Sequence, residues 1–233
     1  LIFKKSFEIN VTALSHFLDS IEKINPKARL FYASSSHIFS DYNGEIQNEN
    51  TIKNPGNVYS ISKHAGMMAC GYYRERKKVF ASCGILYNHE SSVRSPNFLS
   101  RKVIKAAVEI KRKWKEKLIL GNLDARVDWG YAPDYVDAMH RILQSDMAAD
   151  YIVASGELHT VRQLVEIAFN HVGLDYRNHV LEQDGLVSKS FETRVGDPSR
   201  LIRDTGWQPT ISFEEMIRQL VDTEMNERSG LVI

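Results

Sequence analysis

Apolar positions recur along this chain in two rhythms. Leu14, Phe17, Leu18 and Ile21 fall at helical spacing, and after Pro26 the run from Arg29 to Ala33 has the length and content of a buried strand. The alternation continues with a helix from about Tyr59 to Arg76, a strand from Val79 to Leu86, a helix from about Phe98 to Trp114 and a strand from Leu118 to Leu120. A helix then follows Pro133, a strand runs from Tyr151 to Ala154, and a helix spans about Thr160 to His171. The capping box Ser212-x-x-Glu215 opens the last helix. Strands that alternate with helices in this way predict an α/β fold in which a doubly wound parallel sheet is covered on both faces. No internal repeat or low-complexity linker interrupts the pattern, so a second lobe has to be interleaved with the sheet.

Composition narrows the class. The 233 residues are 43% hydrophobic and 25% charged, which is ordinary globular content. No apolar run approaches the roughly 18 residues of a membrane span, and the apolar part of the opening LIFKKSFEIN is too short for a signal peptide. No membrane is expected as a partner, and a cytoplasmic location is the default. Cys70 and Cys83 are too few for a disulfide framework or a cysteine-rich zinc site, and both are expected as buried free thiols; no metal is predicted. A formal net charge of +1 argues against nucleic acid as a partner. The basic run from Arg101 to Lys117 reads as a solvated helix face before it reads as a phosphate-gathering patch. The 13 glycines contain no G-x-G or G-x-x-G pair. Either the chain is not a dinucleotide enzyme, or the phosphate-cradling turn that opens such a fold belongs to strands outside the sequence shown, which the abrupt start within FEINVTALSHFL favours.

The candidate chemistry starts at Tyr59 and Lys63 in VYSISK, one helical turn apart and so on one face. A lysine ammonium there favours phenolate, which lets the tyrosine take an alcohol proton while a nicotinamide takes the hydride. Upstream, the strand ends in the serines of YASSS, at the edge where open parallel sheets bind ligands. A strand-terminal serine followed by Tyr and Lys on the next helix resembles the short-chain dehydrogenase/reductase arrangement.

Four segments sharpen the resemblance: CGILYNHESSVRSPNFLSRKV from Cys83, LGNLDARVDWGYAPDYVDAM from Leu120, DYIVASGELHTVRQLVEIAF from Asp150 and GDPSRLIRDTGWQPTISFEEMI from Gly196. They are similar to successive parts of the GDP-mannose 4,6-dehydratase family, an extended branch of that superfamily, from about Ser6 onward but without the family's N-terminal part. The resemblance implies a Rossmann-like domain over residues 1–98 and a mainly substrate-binding lobe over 99–233, with Rossmann elements interleaved around 121–155. It implies a lyase that oxidises sugar C4, eliminates water across C5 and C6 and returns hydride, with NADP as cofactor, NAD being possible. The substrate would be a nucleotide sugar, GDP-linked, and the assembly a homodimer or homotetramer. Ser35, His37, Tyr59 and Lys63 would be catalytic; Tyr59, Lys63, His89 and Arg94 would hold the cofactor; Ser36, Asn88, Asn97, Lys102, Arg126 and Arg194 would meet the substrate. The residues also allow plainer roles: Asn88 and His89 capping a loop, Arg94 a solvated cation, Asn97 capping the next helix.

Three departures from the family's pattern stand out. Its strand end carries a glutamate as general acid and base where this chain has His37, a side chain that titrates closer to neutrality. An arginine adjoins the family's D-W-G-H, whereas here Val127 separates Arg126 from DWGY, and adjacent residues point to different sides. The family's RP.E signature before Gly196 is absent, Arg194 being the nearest cation. An epimerase or reductase of the same fold, or a non-catalytic homologue, therefore remain alternatives.

Overall fold

The computed structural model describes residues 2–40, 45–183, 185 and 193–227. The chain enters through α1 (Ile2–Phe7), passes through a π-helical turn over Glu8–Thr12 and continues as α2 (Ala13–Ile24). Leu14 and Leu18 of α2 are buried, but Phe17 is 65% exposed, so the apolar stripe read from the sequence is narrower than its spacing implies. Then come β1 (Arg29–Ser35), a short turn over Ser36–Ile38, β2 (Ile46–Gln47), α3 (Val58–Arg76), β3 (Phe80–Leu86) and β4 (Asn88–Glu90). The second half comprises α4 (Leu99–Lys111), β5 (Leu118–Leu120), β6 (Arg126–Tyr131), α5 (Ala132–Gln144), β7 (Asp150–Val153), β8 (Leu158–Thr160) and α6 (Val161–His171). It closes with β9 (Val180–Glu182), β10 (Val195–Gly196), α7 (Ser199–Thr205) and α8 (Phe213–Glu227). The expected helix to Trp114 stops at Lys111, and Lys113, at φ 60°, breaks the helical path.

The central sheet is parallel in the order β1-β3-β7, with Ala33 beside Gly84 and Leu86 beside Val153. Side chains alternate across it as a strand requires. Tyr32, Ala81, Cys83, Ile85 and Ile152 join Leu14, Leu18, Met67 and Cys70 on the face covered by α2 and α3. Phe31, Leu86, Tyr151 and Val153 meet Tyr135, Ala138 and Ile142 of α5, with Leu201 and Trp207, on the other face. This is the doubly wound α/β arrangement, and both cysteines are free thiols buried within it. Gly206, at φ 65°, ends α7 in the left-handed region that suits glycine. That turn delivers Trp207, fully buried, whose Nε1 donates to the Asp134 carbonyl at 2.8 Å.

A third core gathers Val103, Ile104 and Ala107 of α4, Leu164, Val165 and Ala168 of α6, and Ile217, Leu220 and Val221 of α8. The basic run lies here; Lys111, Lys113 and Lys115 are exposed as on a solvated face, while others of its cations bridge to neighbouring elements. Arg101, expected on a solvated face, is buried and pairs with Glu224 at 2.7 Å. Lys102 donates to the Ile119 carbonyl at 2.9 Å, Arg112 to the Met225 carbonyl at 2.6 Å and Lys117 to the Asn178 carbonyl at 2.6 Å.

Strand β10 crosses from this lobe to the sheet. It pairs in parallel with β2, Asp197 N donates to the Gln47 carbonyl at 2.8 Å, and Gly196 N donates to Asp128 at 3.2 Å. Glycine is needed at 196 because a Cβ there would stand 2.6 Å from Ala154 Cβ, 2.7 Å from Ile152 Cγ2 and 2.8 Å from Tyr87 Cε2. None of these groups is a flexible chain end. Gly196→Ala should therefore cost about 1–3 kcal/mol, the usual penalty of overpacking, and lower the midpoint of thermal unfolding; an unchanged midpoint would show that β10 shifts freely.

Candidate active site

Helix α3 begins with a reciprocal cap. Asn57 accepts from Ser60 N at 3.0 Å through its side chain, and Ser60 Oγ accepts from Asn57 N at 3.1 Å. The cap places Tyr59 in the first turn and Lys63 one turn later, facing the C-terminal end of β1. Lys63 Nζ donates to the Ala33 carbonyl at 2.9 Å and stands over two rings, 5.4 Å from the centre of Tyr32 and 5.7 Å from that of Tyr59. Burial holds the Lys63 ammonium below its ordinary value. Tyr59 is 46% exposed, so its ring is open to a ligand.

After β1 the turn over Ser36–Ile38 opens with Ser35 Oγ accepting from His37 N at 3.3 Å. The His37 ring meets Tyr59 edge-on, 6.1 Å between centres. Arg194, directly before β10, approaches with its Nη2 3.4 Å from His37 Nδ1. His37 keeps an exposed edge, yet partial burial and, after it, the neighbouring guanidinium push its imidazole down to about 4. Ser35, His37, Tyr59, Lys63 and Arg194 are thus brought together at one strand end, with Ser36 buried in the turn itself.

A second group forms at β4. His89 Nδ1 lies 2.8 Å from the Tyr87 carbonyl; a carbonyl only accepts, so Nδ1 carries the proton and Nε2 is left as an acceptor. Burial lowers the imidazole below its ordinary value, and the ring packs against Tyr135 at 4.8 Å. Arg94 donates to the His89 carbonyl at 2.8 Å, pairs with Glu90 at 3.0 Å and lies 3.8 Å over the Phe98 ring. Burial raises the Glu90 carboxyl to about 6, and the Ser100 hydroxyl donates to it. His89, Ser91, Arg94, Tyr135, Val136 and Met139 line a cavity of about 280 Å³. Arg94 is a held cation here, not a solvated one.

Other candidates stand apart. Asn88 Nδ2 reaches the Asp128 carbonyl at 3.5 Å. Exposed Asn97 makes a local contact with Ser95 at 3.5 Å and does not cap α4, whose cap residue is Phe98. Lys102 is engaged with β5, and Arg126 is exposed at the start of β6. Among the described residues no hydrogen bond, ion pair or ring contact joins Asn97, Lys102 or Arg126 to the Tyr59 group.

Two contributors escaped the sequence reading. Tyr32 forms the floor under Lys63, and its hydroxyl donates to the Asn10 carbonyl in the π-helical turn at 3.3 Å. Strand alternation was the available signal, since it turns residue 32 toward α3. Buried Asp128 accepts from Ser155 N at 3.0 Å, Ser155 Oγ at 2.6 Å, Gly156 N at 3.2 Å and Gly196 N at 3.2 Å. No local pattern announces that role.

With this geometry in hand, residues 4–220 match the family model for GDP-mannose 4,6 dehydratase. GDP-mannose 4,6 dehydratase 1 of Arabidopsis thaliana is 36% identical over 212 residues, which cover 91% of this chain and 57% of that protein. The human GDP-mannose 4,6 dehydratase is 32% identical over 215 residues, covering 84% of this chain and 58% of that protein. The chain thus spans just over half the length of these relatives. Among solved structures, RMD from Pseudomonas aeruginosa complexed with NADPH superposes with a TM-score of 0.85 over 95% of this chain and 74% of that one, at 20% identity, a likeness of fold.

The pH dependence of stability tests the electrostatics of the turn. His37 has a folded value of about 4 against 6.5 when unperturbed, so the unfolded chain binds more protons between those values. Stability contributed by neutral His37 is present above the unfolded value and is lost as pH falls toward the folded one. Relative to His37→Gln, the wild type should lose stability from pH 6.5 down to about 4; parallel urea midpoints across that window would contradict the depressed imidazole.

Proposed function

This chain belongs to the GDP-mannose 4,6 dehydratase family, and from that premise we propose that it carries the redox and proton-transfer residues of a nucleotide-sugar 4,6-dehydratase acting on GDP-mannose, a lyase. The observation that carries this reading is the convergence of Tyr59, Lys63, Ser35 and His37 at the C-terminal end of β1. In it, Tyr59 Oη removes the proton from the sugar C4 hydroxyl, and Ser35 Oγ hydrogen-bonds to the same oxygen. The Lys63 ammonium steadies the phenolate and would hold the nicotinamide ribose. The C4 ketone acidifies the C5 proton, and water leaves from C6, with His37 at the position where the family's glutamate exchanges protons.

The residues present fit a dinucleotide. Lys63 supplies a cation beside Tyr59, and His89 an imidazole acceptor and Arg94 an oriented guanidinium at the wall of the cavity at β4. NADP, with NAD as the alternative, would supply the hydride acceptor for C4 and the donor for C6, beginning and ending oxidised. Ser36, Asn88, Asn97, Lys102, Arg126 and Arg194 are proposed to meet the GDP-linked sugar.

Residues 1–98 are read as the cofactor-binding part and 99–233 as mainly the substrate lobe, with 121–155 interleaved; the separate core of α4, α6 and α8 supports this division. Exposed Phe17, Met68 and Tyr72 on α2 and α3 support a homodimer or homotetramer. A cytoplasmic site of action belongs to the same reading, supported by the unpaired thiols of Cys70 and Cys83.

The test is incubation of the protein with GDP-mannose and NADP, read by mass spectrometry. Loss of one water from the sugar without net cofactor reduction is the expected result, and Tyr59→Phe should lower turnover by about two to four orders of magnitude while leaving NADP binding nearly intact. An unchanged sugar in the presence of bound NADP would point instead to an epimerase or reductase of the same fold.

A further inference from the structure

Arg194 is placed by the fold. One residue after it β10 begins, fixed by its pairing with β2, by the bond from Gly196 N to Asp128 and by the close seat of Gly196 against Ala154, Ile152 and Tyr87. The guanidinium therefore emerges beside the turn over Ser36–Ile38 rather than on a free loop, and it lies near enough to Tyr87 to act on that phenol electrostatically.

A guanidinium has five N–H donors and no acceptor. The 3.4 Å approach of Arg194 Nη2 to His37 Nδ1 thus has one polarity: Arg194 donates and Nδ1 accepts. An imidazole that accepts at Nδ1 is neutral and keeps its proton on Nε2. Protonating Nδ1 would set two donors and two cations against each other. We propose that Arg194 is a positioning residue for His37, locking the imidazole of the resting site as the neutral Nε2–H tautomer.

This inverts the chemistry of the position. An ionised glutamate is acceptor-only, whereas the locked His37 offers a substrate a hydrogen-bond donor at Nε2. In the locked state Nε2 has no lone pair with which to take a carbon-bound proton. It cannot readily release its own proton either, because that would leave an imidazolate. Proton exchange at C5 and C6 therefore requires the Arg194 contact to break first, so that Nδ1 can carry the proton and Nε2 can accept. Among the described residues the charged and titratable groups that face the ring are Arg194, directly before β10, and Tyr59 from α3. The inference rests on the dehydratase reading only for the atoms that react; the tautomer is a property of the protein without substrate.

Long-range ¹H–¹⁵N correlation of the imidazole in the ¹⁵N-labelled protein, followed through a pH titration, tests it without turnover. The wild type should show the proton on Nε2 and a midpoint well below 6.5. Arg194→Leu removes donor and charge together and should raise the midpoint by about one unit, the scale of losing one neighbouring like charge, while allowing both tautomers; Arg194→Lys, which restores a charged donor, should return the midpoint toward the wild-type value. A wild-type ring protonated on Nδ1, or a midpoint that Arg194→Leu leaves in place, would overturn the proposal. If the NMR result holds and no sugar is converted, the dehydratase reading fails and the lock stands; if both hold, the acid limb of the pH–rate profile should move upward in Arg194→Leu.

Discussion

Asp128 lies at the centre of β6 with no exposed surface, and its two carboxylate oxygens accept from the backbone and hydroxyl of Ser155 and from the amides of Gly156 and Gly196. A carboxylate taken out of water is costly unless its lone pairs are filled. Burial still holds this one above its ordinary value. The segment after β7 and the strand β10 must therefore both come to β6, and the sheet and the C-terminal lobe meet there. The position of Arg194 beside His37, and so the electrostatics of the site, follows from that requirement.

The other end of the site depends on a smaller set of constraints. The Asn57–Ser60 cap sets where α3 starts, and the start of α3 decides that Tyr59 and Lys63 face β1. Lys63 is drawn down by the Ala33 carbonyl and by the ring of Tyr32, while Tyr59 stays open at the surface. Tyr32 can lie there because Gly66 leaves room: a Cβ at 66 would stand 2.3 Å from its hydroxyl oxygen. A lysine fixed by backbone and aromatic contacts loses little freedom when a ligand replaces one of them, which is the value of preorganisation.

Charge is handled differently in the two halves of the site. Around β4, Arg94 is balanced by Glu90 and braced by the His89 carbonyl and the Phe98 ring, which makes it a cation of settled direction. Around β1, Arg194 meets the His37 imidazole, which accepts from its guanidinium at 3.4 Å. A glutamate at position 37 would form a salt bridge with that guanidinium. The histidine instead accepts an N–H···N contact, so the surroundings of its ring depend on where Arg194 lies.

The sequence by itself determined the alternation of helices with the strands of the central sheet and the Tyr59–Lys63 pair, because these follow from local periodicity and from one helical turn; it did not mark the short strands β2, β4, β6, β8, β9 and β10. It also marked His37 as the odd residue of its strand end, by resemblance alone. What it could not determine were contacts between residues distant along the chain. Arg194 reaching His37, Tyr32 lying under Lys63 and Arg101 buried against Glu224 all join segments whose relative placement no local pattern encodes. Tertiary structure decided these, for the physical reason that buried charges and glycine seats tolerate only one packing of the two lobes.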